Sequence, residues 1–328
     1  MLSIRNLTKL TDKLLLLKMG IALGSGILMG MTFAPVEAWY LAWVALAPLW
    51  YLVCQKPNFN SIIYGLLWGI GCYGLGLSWI FGIHPMTWMG VPYLASLGIA
   101  TFCLTFITLW GASLVVLWSI MLRFISSKPQ LNPFVRVILG TACWCLLEEL
   151  YSLTDLWWTS LAMSQSPHNL PILHLGQLSG PTTVSGAIVL VNGLIAEGCL
   201  AIKRDRRHPK LLQRVWQSSP YISSAIVSIT ILHLIGSNLA NRPLVEAIDS
   251  SLKIGIIQGN IGNEVRHYQS GYDLAIDNYT RGYVELAAQG VAAVITPETA
   301  FPYRESQIKQ TSFYQAILAK KVTVFLGG

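Results

Sequence analysis

The feature that most limits what this chain can fold into is a series of long segments with almost no charge. A hydrocarbon core of about 30 Å takes roughly 20 apolar helical residues to cross. Residues 61–82 (SIIYGLLWGIGCYGLGLSWIFG), 91–122, 182–202 and 219–238 meet that length. Segments 14–31 and 37–54 lie near its lower limit. Segment 133–150 has only 11 residues between Arg136 and Glu148. It is counted as a span because Arg136 can snorkel to one surface while Glu148 sits at the other. The expected architecture is thus a polytopic α-helical membrane bundle of about seven spans over residues 1–241. Composition agrees, with 53% hydrophobic and 11% charged residues, 12 Trp and a positive mean hydropathy, outside the range of an ordinary soluble domain.

Lys and Arg are retained on the cytoplasmic side of a membrane, so the loops carry the orientation. With the N-terminus inside, the inside segments hold Arg5, Lys9 and Lys13, then Lys56, then Arg123, Lys128 and Arg136, then the run from Lys203 to Arg214. The outside loops 32–36, 83–90 and 151–181 hold none, and an odd number of spans puts everything after about residue 240 outside. The net charge of +7 is then a topology signal. The stretch KRDRRHPK at 203–210 reads as a positive-inside loop rather than as a nucleic-acid footprint, and no nucleic-acid partner is expected. The N-terminal apolar run is interrupted by Lys18 and followed by further spans, which reads as an uncleaved first helix. Cys54, Cys72, Cys103, Cys143, Cys145 and Cys199 all fall in or at the end of expected spans, where thiols pack as small apolar groups.

From about residue 242 the pattern changes to short strands alternating with amphipathic helices. LKIGIIQGN (252–260) reads as a buried strand. A helix from about 271 places Tyr272, Ile276, Tyr279, Tyr283 and Leu286 on one face. A strand at 292–296, a helix over 305–320 and a strand VTVFLG at 322–327 complete a β-α-β-α-β order, an α/β layer. The middle strand runs into ITPETAFP, with Glu298 directly after Pro297. A carboxylate just past a buried strand is either a structural ion-pair partner or a general base held on rigid backbone, and the local residues leave both open.

IGIIQGNIG followed some forty residues later by ITPETAFP resembles the opening of a nitrilase-type (carbon-nitrogen hydrolase) domain. The membrane half carries FAPVEAWYLAWVALAPL (33–49), YGLLWGIGCYGLGLSWI (64–80) and a long stretch from WCLLEELYSLTDLWW to VNGLIAE (144–197). In that order these resemble the bacterial apolipoprotein N-acyltransferases over essentially the whole chain. One departure is the loop Asp155, Leu156, Trp157, Trp158 before Ser164 and Gln165, where the family usually has a Gly-Phe-Pro-Trp type stretch.

The resemblance implies that residues 242–328 are the N-terminal part of an extracytoplasmic αββα nitrilase-like domain. It also implies a multi-pass protein of the bacterial cytoplasmic (inner) membrane with that domain in the periplasm. The implied reaction moves a fatty acyl group from a membrane phospholipid to the N-terminal amine of a diacylglyceryl-cysteine lipoprotein, through a Cys thioester. No cofactor and no metal is implied. The family's set is a Glu base, a Lys that steadies the oxyanion and a Cys nucleophile, of which only the Glu maps, to Glu298. The Lys and Cys motifs and a last membrane helix find no counterpart up to Gly328, so the chain as it stands is expected to be inactive. The alternative is a catalytically silent relative that binds lipid or a partner. Trp157, Trp158 and Trp88 are candidates for flanking a lipid entrance, with an ordinary interfacial aromatic belt as the competing reading. His84, His168 and His174 have no ligand spacing. A transporter would call for ionisable groups inside the spans, which here amount to Glu197 and the end-positioned Lys18 and Glu148.

Overall fold

The computed structural model describes residues 4–55, 60–128, 130–204, 211–243, 251–262, 265, 268–298, 301 and 305–327. They fall into two compact units: Met1–His84 with Leu97–Arg242, and Pro85–Ser96 with Pro243–Gly328. The basic stretch 205–210 lies outside the described residues.

The first unit is helical. In chain order it contains α1 (Ile4–Gly30), α2 (Ala47–Gln55), α3 (Asn60–Gly76), α4 (Tyr93–Ser126, whose first turn belongs to the second unit), α5 (Pro133–Ser152), the single turns α6 (Leu170–Leu173) and α7 (Gly176–Ser179), α8 (Pro181–Arg204) and α9 (Leu211–Ala240). Among the described residues, four stretches are long and apolar enough to cross a bilayer: Lys13–Gly30, Tyr93–Ser126, Pro181–Lys203 and Ser218–Ala240. They coincide with four of the seven expected spans.

The other three expected spans are helical but depart from a simple crossing. Segment 37–54 is broken into a 3-10 turn, Trp39–Trp43, and the nine-residue α2, about 14 Å at 1.5 Å per residue. The break is tolerated because its freed backbone groups find partners inside the protein. Asn192 Oδ1 accepts from Leu46 N and Ala47 N at 2.9 Å each, and its Nδ2 donates to Ala42 O at 2.8 Å. Trp68 Nε1 donates to Ala45 O at 3.0 Å. Segment 61–82 gives the 17-residue α3 and then a 3-10 turn, Ser78–Ile83.

Segment 133–150 is α5, but its charges do not reach toward opposite surfaces as expected. Arg136 and Glu148 are both buried. Arg136 forms a two-pronged ion pair with Glu197 of α8, Nε to Oε1 at 2.7 Å and Nη2 to Oε2 at 2.6 Å. Glu148 accepts from Trp144 Nε1 at 2.9 Å and from Ser185 Oγ at 2.9 Å. Burial is possible because each charge meets hydrogen-bond donors or an opposite charge.

Four fully enclosed indoles, Trp50, Trp68, Trp118 and Trp144, tie α2, α3, α4 and α5 together. Ring centroids lie 5.4 Å apart for Trp50–Trp118, 5.3 Å for Trp118–Trp144 and 6.2 Å for Trp68–Trp144. Every indole N–H in the group is spent on a partner: Glu197 for Trp50, Ala45 O for Trp68, Gly140 O for Trp118 and Glu148 for Trp144. Helices α1 and α3 approach backbone to backbone. A Cβ on Gly26 would stand 2.1 Å from Trp68 O, and one on Gly71 would stand 2.7 Å from Leu23 O, the small-residue contact typical of helices in lipid.

The second unit carries β1 (Ile254–Ile256), α10 (Gln269–Ala288), β2 (Ala293–Ile295), α11 (Glu305–Ile308), α12 (Ser312–Lys320) and β3 (Thr323–Phe325). The strands form one parallel sheet in the order β1-β2-β3, with Gly255, Val294 and Val324 in one row and Ile256, Ile295 and Phe325 in the next. The expected β-α-β-α-β order is present, with the helix expected over 305–320 divided into α11 and α12. Four of the five residues of the expected helix face meet the core, Tyr279 and Tyr283 buried and Ile276 and Leu286 packed against them, while Tyr272 is half-buried and outside it. Helices α10 and α12 cover the Val294 side through Tyr283, Phe313 and Leu286. Ile256 and Phe325, on the other side, are 74% and 59% exposed.

Candidate functional site

The residues after β1 and after β2 leave the sheet side by side, as parallel pairing requires. Their exit is continued past the strand ends by Ile257 N donating to Ile295 O at 3.0 Å. In open parallel sheets the crevice outside the carboxyl ends of the strands is the usual ligand position. Here it is a cavity of about 220 Å³. One wall is Gln258, Gly259, Asn260 and Ile261, a second is the start of α10 with Gly271, Tyr272, Ala275 and Tyr279, and a third is Pro297 with Glu298.

Glu298 is exposed at the rim, on backbone that is firmly tied. The residue two before it, Thr296, is buried, and its N–H donates to Phe325 O at 3.1 Å. The Thr296 hydroxyl accepts from Gly327 N at 3.3 Å. Gly327 lies so close that a Cβ there would stand 2.3 Å from Pro297 O and 2.6 Å from the Glu298 Cα. The β3 exit therefore clamps the turn that carries Glu298. Asn260 holds a left-handed conformation, φ 49°, which Asn tolerates better than most residues. Tyr279 is buried with its ring 5.0 Å from Phe301, and a Cβ on Gly259 would meet its hydroxyl at 2.4 Å.

This arrangement can bring a carboxylate, as proton acceptor, to a group lodged among carboxamides and phenols. Gln258, Asn260, Tyr272 and Tyr279 join Glu298 at the cavity, although the sequence reading singled out none of the four as site residues. The available signals were the IIQGN strand end and the Tyr face of the helix.

The three Trp candidates do not line this cavity. Trp157 packs in the helical unit against Tyr151 and Tyr73, with centroids 5.5 and 5.9 Å away. Trp158 is 46% exposed, pairs with Trp79 at 6.0 Å and donates from Nε1 to Asp155 O at 2.8 Å. Trp88 lies in a 3-10 turn, Thr87–Met89. His168 Nε2 stands 2.8 Å from Glu37 Oε2, and His174 Nδ1 stands 2.7 Å from Gln177 Nε2. The described cysteines form no disulfide with one another and belong to the helical unit, where Cys54 Sγ stands 3.0 Å from Ser126 Oγ.

Comparison with known proteins gives a consistent result. The family model described as the apolipoprotein N-acyltransferase N-terminal domain matches residues 25–194. A curated protein of Nostoc sp. named apolipoprotein N-acyltransferase is 45% identical over 304 residues, covering 91% of this chain and 58% of its own length. A Synechocystis sp. protein of the same name is 37% identical over 319 residues, covering 91% and 61%. One from Photobacterium profundum is 25% identical over 293 residues, covering 88% and 50%. The chain thus spans between half and about three-fifths of the length of these relatives.

Proposed function

The chain belongs to the apolipoprotein N-acyltransferase family, and from that premise we propose that Glu298 is the general base of an acyl transfer from a membrane phospholipid to the N-terminal amine of a lipoprotein. In this reading residues 1–241 are the transmembrane part, with seven spans and a cytoplasmic N-terminus. Residues 242–328 belong to a nitrilase-type domain on the periplasmic face of the inner membrane.

The observation that carries the proposal is the place of Glu298, at a cavity outside the carboxyl ends of β1 and β2 on a turn clamped by Thr296 and Gly327. A base has to be held within hydrogen-bond reach of the proton it takes, and short ties to a sheet supply that fixity.

The chemistry follows in two steps. Glu298 takes the proton of a Cys thiol while the sulfur attacks the phospholipid ester carbonyl. The oxyanion that forms is steadied by a Lys, and collapse expels the lysophospholipid oxygen, which takes the proton back from Glu298 and leaves the acyl group as a thioester. The lipoprotein amine then attacks the thioester, Glu298 accepts the amine proton and passes it to the departing sulfur, and the C–S bond breaks to release the thiol as the amide forms. Residues 1–328 contribute the Glu of this set.

The test places Glu298→Gln in the protein as the cell makes it. Membranes are incubated with phospholipid labelled in its acyl chain and assayed for a hydroxylamine-sensitive adduct. Gln keeps the shape and cannot take the proton, so adduct formation should fall by about 10²–10⁴-fold. Adduct accumulating at the unaltered rate would remove Glu298 from the mechanism.

A further inference from the structure

A second cavity lies in the helical unit, between the turns α6 and α7 and the start of α8. Its volume is about 450 Å³, within the roughly 300–1,000 Å³ of ligand sites that combine an apolar wall with a few placed polar groups. The wall is Ala162, Leu173, Gly176, Pro181 and Val184, and the polar groups are His174 and Gln177, which face each other at 2.7 Å.

The location restricts what can enter. Pro181 and Val184 are in the first turn of α8, which is long and apolar enough to cross a bilayer. Met163, Leu170 and Leu178 nearby in sequence are 53%, 55% and 59% exposed. An exposed apolar surface of this kind, beside the end of a helix of membrane-spanning length, suits the interface where acyl chains meet ester and headgroup.

The wall is tied to the helical core at Ala162. Ala162 N donates to both Ser160 Oγ and Ser185 Oγ at 3.1 Å, and Ser185 Oγ donates to the buried carboxylate of Glu148 at 2.9 Å. The space is kept open by the lack of a side chain at position 176, where a Cβ would meet nothing nearer than Pro181 N at 4.0 Å.

We infer that this cavity holds one acyl chain of a resident bilayer phospholipid, with the ester end of the chain beside His174 and Gln177. The inference does not depend on Glu298 or on the acyl-transfer reading.

The experiment reconstitutes the full chain, free of detergent, into vesicles of phosphatidylethanolamine and phosphatidylglycerol doped with a phospholipid carrying a diazirine near the end of one acyl chain. After irradiation, labelled peptides are mapped by mass spectrometry. Peptides from residues 161–184 should carry label at least five-fold more densely than the exposed side chains of α9, which sample bulk lipid. Gly176→Leu fills the space and should bring that labelling down to the α9 level, whereas Gly176→Ala should keep most of it. Leu173→Trp closes the same cavity from another lining position and serves if Gly176→Leu fails to fold. Labelling of 161–184 no denser than that of α9 would overturn the inference. So would dense labelling that persists in a folded cavity-filled variant.

Discussion

In the helical unit every oxygen of Glu197 and Glu148 has a donor. The Arg136 fork and Trp50 Nε1 serve the first, and Trp144 Nε1 and Ser185 Oγ serve the second. In the α/β unit Glu298 stands exposed at the rim of a cavity, and the firm ties lie in the backbone beneath it. The same functional group is thus a locked structural part in one place and an accessible one in the other. A carboxylate enclosed among indoles is tolerated only with its partners in place. A carboxylate meant to move protons needs its position fixed and its oxygens within reach of a substrate. Burial with complete pairing therefore points to architecture, whereas exposure on clamped backbone is what the proposed base requires.

The largest effect expected from this contrast is at the ion pair. Glu197→Leu leaves the Arg136 guanidinium enclosed without its counter-charge, at a cost of about 3–5 kcal/mol. The double variant Arg136→Met with Glu197→Leu removes both charges and should recover most of the loss, because an apolar pair of similar size is often as stable as the ion pair. Unfolding in detergent micelles, followed by tryptophan fluorescence, measures both. A single-variant loss below about 1 kcal/mol would mean that water reaches Arg136 and that the pair is not locked.

Next in size is Asn192. Its side chain serves Leu46 N, Ala47 N and Ala42 O where the backbone breaks between the 3-10 turn and α2. Asn192→Leu takes this side-chain partner from all three, leaving Ala47 N with only its longer bond to Val44 O at 3.3 Å, and should cost about 2–3 kcal/mol. The local readout is hydrogen exchange at the amides of residues 46 and 47, expected to speed up well ahead of those in α8. Unchanged exchange there would show that the break is held by something other than Asn192.

The four long apolar helices and the β-α-β-α-β order were legible in the sequence because each rests on a repeating pattern: a run long enough for a bilayer, or alternation of short strands with a 3.6-residue helical face. What escaped reading depended on single long-range partners. Nothing local to residues 37–54 announces a break, since the cap that permits it, Asn192, lies in α8. Arg136 and Glu148 read as span ends because hydropathy treats each charge alone, whereas Glu197 and Ser185 bring them inside. Glycines as close helix contacts went unread for the same reason, as Gly26 has meaning only opposite the Trp68 carbonyl. At the cavity, the PET stretch marked Glu298, but Gln258 and Asn260 reached it through strand pairing. The clamp by Gly327 arises from the neighbouring strand β3.

The smallest expected effect is the sharpest test of the contrast. Glu298→Gln replaces an exposed side chain on a turn whose restraints are main-chain groups: Thr296 N to Phe325 O, Gly327 N to the Thr296 hydroxyl, and the Gly327 backbone against Pro297. None of these uses the Glu298 carboxylate, so the change in folding stability should stay within about 0.5 kcal/mol, as for a surface substitution. The substitution that should abolish the thioester is then one that leaves the fold alone, the reverse of what is expected for Glu197. A loss of 2 kcal/mol or more, read by the same unfolding measurement, would show that the Glu298 carboxylate holds the turn through an ion pair or hydrogen bond. Glu298 would then belong with Glu148 and Glu197 among the structural carboxylates, and a loss of activity in the variant would no longer count as evidence for a base.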